Sequence, residues 1–257
     1  MKQLLLTMAL VGAAASASFG QSPRLNDVHS LAWFVYVGDH KIAKKWALHT
    51  EYQWRRVDWL RDPQQQLARL GLVRTLSERV KVSGGYTYFQ SHRYGQYAEV
   101  PGRAEPENRI YEDVSLKDNL GRLGLSQRIR LEQRWLGKRD ATGNGPVQKW
   151  TYQNRIRYQL ELQFPLQGAS IDDKEFYLTG FDELFIGFGE HVGQNVFNQN
   201  RLAGGPGYQF TKNAKLELVY LYQIRTHASV DATSGQPVVE LNNGFRLNAV
   251  YNLDFTK

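Results

Sequence analysis

Two long runs of alternating residues constrain the fold of this chain most strongly. They cover residues 121–135 and 150–164, each 15 residues long, and a loop centred on Gly143 separates them. Alternation with period two is typical of a β-strand, because successive side chains point to opposite faces of the sheet. The two runs therefore predict a β-hairpin.

The two faces of this hairpin differ in chemistry. In the second run, Ile156 and Tyr158 alternate with Arg155 and Arg157. Strands of soluble proteins usually have about 3 to 10 residues, whereas a tilted membrane strand needs about 9 to 11 within the apolar layer. Length and alternation together indicate a transmembrane barrel with lipid outside and a charged lumen inside. A water-facing sandwich would also alternate, so the hairpin alone does not decide between them.

The start of the chain predicts export. Lys2 precedes an apolar stretch at residues 4–15, and small residues follow as far as Gly20. This is the pattern of a secretory signal peptide, residues 1–20, with cleavage after Gly20 or, as an alternative, after Ala17. A lipoprotein would need a cysteine at that point, and the chain has none.

The remaining residues, 21–257, are predicted to form one domain, because no shift in composition divides them. The absence of cysteine excludes a disulfide scaffold and thiolate metal sites. The formal charge is +7, but the arginines are spread along strand faces rather than gathered in a basic run. That distribution argues against a nucleic-acid partner.

Eleven strands can be identified in the sequence. They cover residues 28–37, 46–56, 67–76, 80–90, 109–116, 121–135, 150–164, 176–188, 197–210, 214–227 and 245–255. The fold class is therefore all-β, a single antiparallel up-and-down transmembrane barrel. Bacterial single-chain barrels have even strand counts. We expect 10–12 strands, with either a strand missed or one segment, the first or the one near Gly187, not an independent wall strand.

Aromatic residues near strand ends indicate the two membrane interfaces, where girdles of such residues lie. Trp54, Trp135 and Trp150 flank connections predicted to be external, as does Trp59. Trp46 begins a strand at the opposite end. Core packing in a soluble β-protein would instead scatter tryptophans through strand middles.

Several ordered blocks resemble an uncharacterised family of Gram-negative outer-membrane β-barrels, domain of unknown function 2490. The blocks are Trp33 with Tyr36, residues 49–56, 128–134, 154–158, 182–185, and 197–201 before Gly207 and Tyr208. The resemblance implies an outer-membrane barrel and no particular activity. One departure is the end of the chain, where Thr256 and Lys257 follow Phe255 instead of a terminal aromatic residue.

The inward faces predict an arginine-rich lumen. Its expected members are Glu51, Arg55, Arg122, Arg128, Arg130, Glu132, Arg134, Arg155, Arg157, Glu161, Glu183, Arg225 and Arg246, together with Arg69, Arg109 and Glu217. These groups either neutralise one another and fill the barrel, or leave a positive excess that favours small anions. A structural barrel or a narrow anion-favouring channel is the favoured interpretation.

Two alternatives stay open. His227 and Ser229, two residues apart at the expected external rim, would lie on one face, where histidine could activate serine. This is similar to the arrangement in lipid A deacylases and would make the chain an outer-membrane lipid-modifying hydrolase, although an enzyme is the less favoured reading. A soluble periplasmic binding barrel is the third hypothesis.

The expected partners follow from the location. They are outer-membrane lipid and lipopolysaccharide, the barrel-insertion machinery and small anions. The six histidines have no metal-ligand spacing and no glycine-rich phosphate motif is present, so we expect no cofactor and no metal.

Overall fold

The computed structural model describes residues 24–102, 104–140, 142–193 and 195–256, and the predicted signal peptide lies outside them. The described chain is built from β-strands. They are β1 (Leu25–Asp27), β2 (Ser30–Ala43), β3 (Trp46–Val57), β4 (Asp62–Thr75), β5 (Val80–His92), β6 (Ala104–Leu120), β7 (Leu123–Lys138), β8 (Lys149–Pro165), β9 (Glu175–Phe188), β10 (Phe197–Thr211), β11 (Ala214–Val230) and β12 (Pro237–Tyr251).

Strands β2 to β12 form one closed up-and-down barrel. Each strand pairs antiparallel with the next, and β12 pairs with β2 to complete the circle. The short β1 also pairs with β12, so the start of the chain continues the line of β2. The predicted all-β barrel is confirmed, and its eleven wall strands fall within the expected 10–12.

The expectation of an even strand count was wrong. Both β2 and β12 run towards the end of the barrel where the short turns lie, so their pairing is parallel, with Trp33 opposite Arg246 and Leu31 opposite Gly244. An odd number of strands must close in this way, because the first and last strands then point in the same direction. Within the described residues, the eleven predicted strands correspond to the eleven wall strands, and both questioned segments belong to the wall. Only the short β1 had not been predicted.

Some boundaries differ from the sequence prediction. The turn expected at residues 117–119 lies inside β6, and the chain reverses at Gly121 and Arg122 instead. The expected loop at 91–107 is shorter, because β5 continues to His92 and β6 begins at Ala104. The last strand begins at Pro237 and ends at Tyr251, earlier than predicted.

Alternation separates the two faces of the barrel wall. Large apolar side chains are exposed on the outer face, including Leu70, Tyr86, Ile129, Leu202 and Tyr220. Polar and charged side chains occupy most of the buried interior. Among the described residues, no helix has the length and apolar character required to cross a membrane.

The interior is apolar mainly along β2. Leu31 and Trp33 pack there with Val57, Ala203 and Leu221 from other strands. This cluster lies beside the parallel seam, which is the pairing of β2 with β12. The seam is therefore supported by packing as well as by backbone hydrogen bonds.

Gly244 provides a test of the seam. A Cβ atom there would lie 2.0 Å from the carbonyl oxygen of Leu31, whereas one at Gly204 in β10 would meet no atom closer than 3.7 Å. We expect Gly244→Ala to lower the free energy of unfolding by about 1–3 kcal/mol through steric strain. Gly204→Ala should leave it nearly unchanged. Denaturant unfolding of the refolded barrel measures both variants, and equal effects would contradict the seam's role in stability.

Candidate functional site in the barrel interior

Strand register brings the inward arginines and carboxylates together. Arg130 lies opposite Arg157, and Glu132 lies opposite Arg155, on the paired strands β7 and β8. Because inward residues recur at every second position, these side chains form rows across the interior rather than isolated pairs. The charged face of the β7–β8 hairpin therefore lies in the interior together with the inner faces of the other strands.

Glu132 is a centre of this network. Its carboxylate oxygens lie 2.5 Å from Arg155 Nη2 and 2.8 Å from Arg157 Nη1, and Arg109 Nη1 is at 4.0 Å. The Glu132 side chain is fully buried. A buried carboxylate is stable only when charged hydrogen bonds replace the lost water, and the neighbouring guanidinium groups supply them.

Glu183 forms a second centre on β9. Its Oε1 atom lies 2.6 Å from Arg157 Nη2 and 2.8 Å from Arg128 Nη2. Arg157 thus links the two carboxylates. The adjacent Asp182 points outward and accepts a hydrogen bond of 2.7 Å from Asn200 Nδ2, as strand alternation requires.

Further pairs extend the network through the interior. Glu107 accepts hydrogen bonds from both Arg109 (2.5 Å) and Arg134 (2.6 Å). Arg130 donates to Asp113 over 2.5 Å, and Arg69 is paired with Glu51. Aromatic faces complete the packing, for example Phe89, whose ring centroid lies 3.9 Å from Arg109 Cζ.

The structure locates each residue of the predicted lumen set. Those that line the interior cavity are Glu51, Arg55, Arg69, Arg109, Arg128, Arg130, Arg134, Arg155, Arg157, Glu161, Glu183, Glu217, Arg225 and Arg246. Glu132 is fully buried within the same network. The exception is Arg122. It lies in the β6–β7 turn, where it donates to the carbonyl of Pro165 and its guanidinium lies over the Phe164 ring.

Sequence reasoning missed several members of the network. Glu107 was placed in a loop because Pro106 precedes it, and Arg201 and Asp113 were not assigned to the lumen although both keep the inward parity of their strands. Applying the alternation within the predicted strands would have identified Asp113 and Arg201, and extending it past the start of β6 as predicted would have identified Glu107.

The cavity that these residues line has a volume of about 1310 Å³. At the end of the barrel with the short turns, Lys81, Lys117 and Lys215 line it together with Glu161 and Glu217. Lys215 and Arg128 keep about a quarter of their side-chain surface exposed there, whereas Glu132 deeper inside is fully buried. The interior is therefore accessible from this end, which we call the short-turn mouth.

The connection between β5 and β6 crosses the other end of the barrel. Tyr94 donates its hydroxyl to Glu240 on β12 over 2.9 Å, and Glu99 is ion-paired with Arg225 on β11. Strands β11 and β12 lie about half the strand order away from β5 and β6. Residues 93–102, which we call the crossing loop, therefore span the interior from one wall to the other.

The electrostatics of Glu99 favour this docked position. Burial raises the pKa of its carboxyl, but Arg225, His227 and the backbone N–H of Ala228 lower it, and the net pKa lies below the ordinary value. Glu240 adds a small opposing effect. Glu99 is therefore ionised at neutral pH and holds the crossing loop against β11.

A comparison with protein-family models identifies the relationship. The model of a protein family of unknown function, DUF2490, matches residues 31–233, which is most of the barrel. The chain belongs to this family. No curated protein and no solved structure matches the chain.

In this DUF2490 chain, His227 and Ser229 do not form a nucleophile pair in the described structure. His227 is buried and its Nε2 lies 2.7 Å from Glu240 Oε1. Ser229 is exposed near the end of β11. No hydrogen bond joins His227 to Ser229 in the described structure, and the Glu240 carboxylate at Nε2 also binds Arg225 and Tyr94.

The four tryptophans predicted for the interfaces lie on the outer face of the DUF2490 barrel. Trp46, Trp54 and Trp150 are exposed, and Trp135 is partly covered by Tyr152. Trp46 is near the short turns, whereas the other three are towards the opposite end. Trp33 differs, because it is buried in the interior.

No group of three or more histidine, aspartate or glutamate side chains within the described parts of the chain has the arrangement of a metal site. The guanidinium groups of the interior supply charged hydrogen bonds.

Glu132 tests the importance of the ion-pair network for stability. Replacing it with glutamine leaves Arg155 and Arg157 without their shared carboxylate, so we expect Glu132→Gln to lower the free energy of unfolding by about 3–5 kcal/mol. The control is Glu161→Gln, because Glu161 is half-buried and its side chain accepts only from Gln163. Chemical unfolding in detergent measures both, and a small loss for Glu132→Gln would show that the network contributes little.

Proposed function

We propose that this protein is an outer-membrane β-barrel whose positively charged interior binds small anions and conducts them when the crossing loop moves. One observation carries the proposal. A continuous wall with exposed apolar side chains outside encloses a cavity lined by more arginine and lysine side chains together than carboxylates.

The dimensions of the wall agree with a membrane location. Even the shortest wall strand, β3, has 12 residues. At about 3.4 Å per residue and a tilt of about 40°, it spans about 30 Å, enough for an apolar band of about 25 Å. Exposed tryptophans near both ends are in the positions expected for interfacial girdles.

Orientation follows from the connections. In outer-membrane barrels the short turns face the periplasm and the longer loops face outward. This would place the short-turn mouth in the periplasm and the crossing loop at the cell surface. Anions would then enter the interior from the periplasmic side, and the crossing loop would restrict passage to the outside.

The hydrolase hypothesis lacks support from the site. His227 is buried, Ser229 lies on the exposed surface, and no hydrogen bond joins them in the described structure. The interior offers many hydrogen-bond donors for an anion and no assembled nucleophile among the described residues. Anion binding is therefore the better use of this geometry.

Localisation and conductance test the proposal. The expressed chain should fractionate with the outer membrane and migrate differently on gels before and after heating. In planar bilayers, the purified protein should conduct small currents that prefer anions. Recovery as a soluble periplasmic protein would overturn the membrane proposal, and cation preference would overturn the proposed selectivity.

The crossing loop makes a separate prediction. Glu99→Gln removes the charge that pairs with Arg225. A charged hydrogen bond contributes about 1.5–3 kcal/mol, so the open state should become about 10- to 100-fold more populated relative to the docked state. Bilayer recordings of open probability measure this. Glu190→Gln, in the exposed β9–β10 connection, removes one charge from the same end and should have no such effect.

The same contact predicts a response to acid. The pKa of Glu99 is lowered in the docked state. The stabilisation that Glu99 gives to the docked crossing loop is therefore complete above the ordinary carboxyl pKa of about 4.3 and is lost as the pH falls through the lowered pKa. Open probability should therefore be constant near neutral pH and increase only below about pH 4. An increase in open probability as the pH falls from 8 to 6 would indicate that another group controls the crossing loop.

A further inference from the structure

Three arginines of the interior differ from the others because no carboxylate accepts a hydrogen bond from them. Arg55 donates only to the side-chain oxygens of Gln53 and Gln65. Arg201 donates to Gln199, and its nearest carboxylate, Glu183, is 3.8 Å away. Within the described chain, Arg246 has no ion pair, and its guanidinium lies 5.4 Å from the centroid of the Phe181 ring.

These three arginines converge on one place. Across the seam, Arg246 lies opposite Trp33, and Trp33 lies opposite Arg55 on the next strand. The Cζ atoms of Arg55 and Arg201 lie 4.1 Å and 4.9 Å from the centroid of the Trp33 ring. The charge of Arg246 acts on both Arg55 and Arg201.

The available carboxylates do not neutralise this cluster. Glu183 already accepts hydrogen bonds from Arg157 and Arg128, and Glu51 is paired with Arg69. The Nε atoms of Arg201 and Arg246 are buried and have no hydrogen-bond partner in the described chain. A buried donor without an acceptor is costly, so the arrangement favours an anion from outside the chain.

Space for such an anion is present. Trp33, Arg55, Arg201 and Arg246 all line the interior cavity. The same cavity extends to the short-turn mouth, where Lys81, Lys117 and Lys215 lie. Several positive groups along one route raise the local concentration of anions and guide them inward.

We propose that Arg55, Arg201 and Arg246 form a binding site for a phosphate group, free or as a soluble phosphate monoester. A phosphate monoester carries about −1.5 to −2 charges at pH 7 and presents three strong acceptor oxygens, which suit three converging guanidinium groups better than a carboxylate does. This inference rests on the proposed anion-binding function and names its ligand class.

Calorimetric titration of the full-length barrel in detergent, at low salt, tests the site. Inorganic phosphate and glycerol 3-phosphate are the two probes, and stronger binding of one over the other distinguishes the free ion from a monoester. Binding of either in the millimolar range or tighter supports the proposal. Absence of binding by both would overturn it.

Two variants that each remove one positive charge show whether phosphate binding depends on the three arginines or on the overall positive potential of the interior. Arg246→Gln should weaken phosphate binding by about 10-fold or more, because it removes one of three direct ligands. Lys117→Gln removes one positive charge at the mouth and should change the affinity by less than about 3-fold when the titration is repeated at about 0.15 M salt, where exposed charges are screened. Equal weakening by both would overturn the assigned site.

Separate measurements check that the variants are folded and distinguish failure of this site from failure of the proposed function. Arg246 has no carboxylate partner, so its replacement leaves no buried acid unpaired, and the unfolding midpoint without phosphate checks that each variant is folded. Phosphate should raise that midpoint for the wild-type chain and less for Arg246→Gln. Anion-selective current without phosphate binding would refute only this site, whereas soluble localisation would refute the proposed function.

Discussion

The fold depends on the mutual neutralisation of charges inside a closed wall. A soluble domain of this size would bury an apolar core, but here Glu132 and Glu183 are buried and are surrounded by guanidinium groups. Removing such groups from water costs several kcal/mol each unless charged hydrogen bonds replace the water. Glu107, Glu132 and Glu183 therefore each accept from two arginines, which connects strands of the wall and fixes the shape of the cavity.

Alternation in the sequence predicts much of this arrangement. It predicts eleven strands, their inward and outward faces, and the convergence of the arginines, because each of these depends on local period-two pattern. It does not predict how the barrel closes. The general rule of even strand counts suggested an error where there was none, since nothing in a single strand shows that its partner at the seam runs parallel.

Connections were harder to predict than strands for a physical reason. Arg122 has the parity of an inward residue, but the chain reverses at Gly121 and Arg122, where alternation no longer determines direction. Tyr94 reaches Glu240, 146 residues away in sequence, through a side-chain hydrogen bond that no local pattern encodes. The interior positions of His227 and Arg225 were predictable from parity, whereas their contacts with the crossing loop were not.

The parallel seam explains where the unpaired positive charge is found. Strand β2 presents Leu31, Trp33 and Val35 to the interior and contributes no carboxylate beside Arg55 and Arg246, which lie on its two neighbours. Those arginines stack on or lie near aromatic rings instead of forming ion pairs. The apolar packing that supports closure of an odd-stranded barrel thus removes the acceptors from one sector of the interior. The carboxylates nearest to these arginines, Glu51 and Glu183, are already paired with other arginines. An excess of guanidinium groups at the seam is therefore a direct consequence of the way in which this barrel closes.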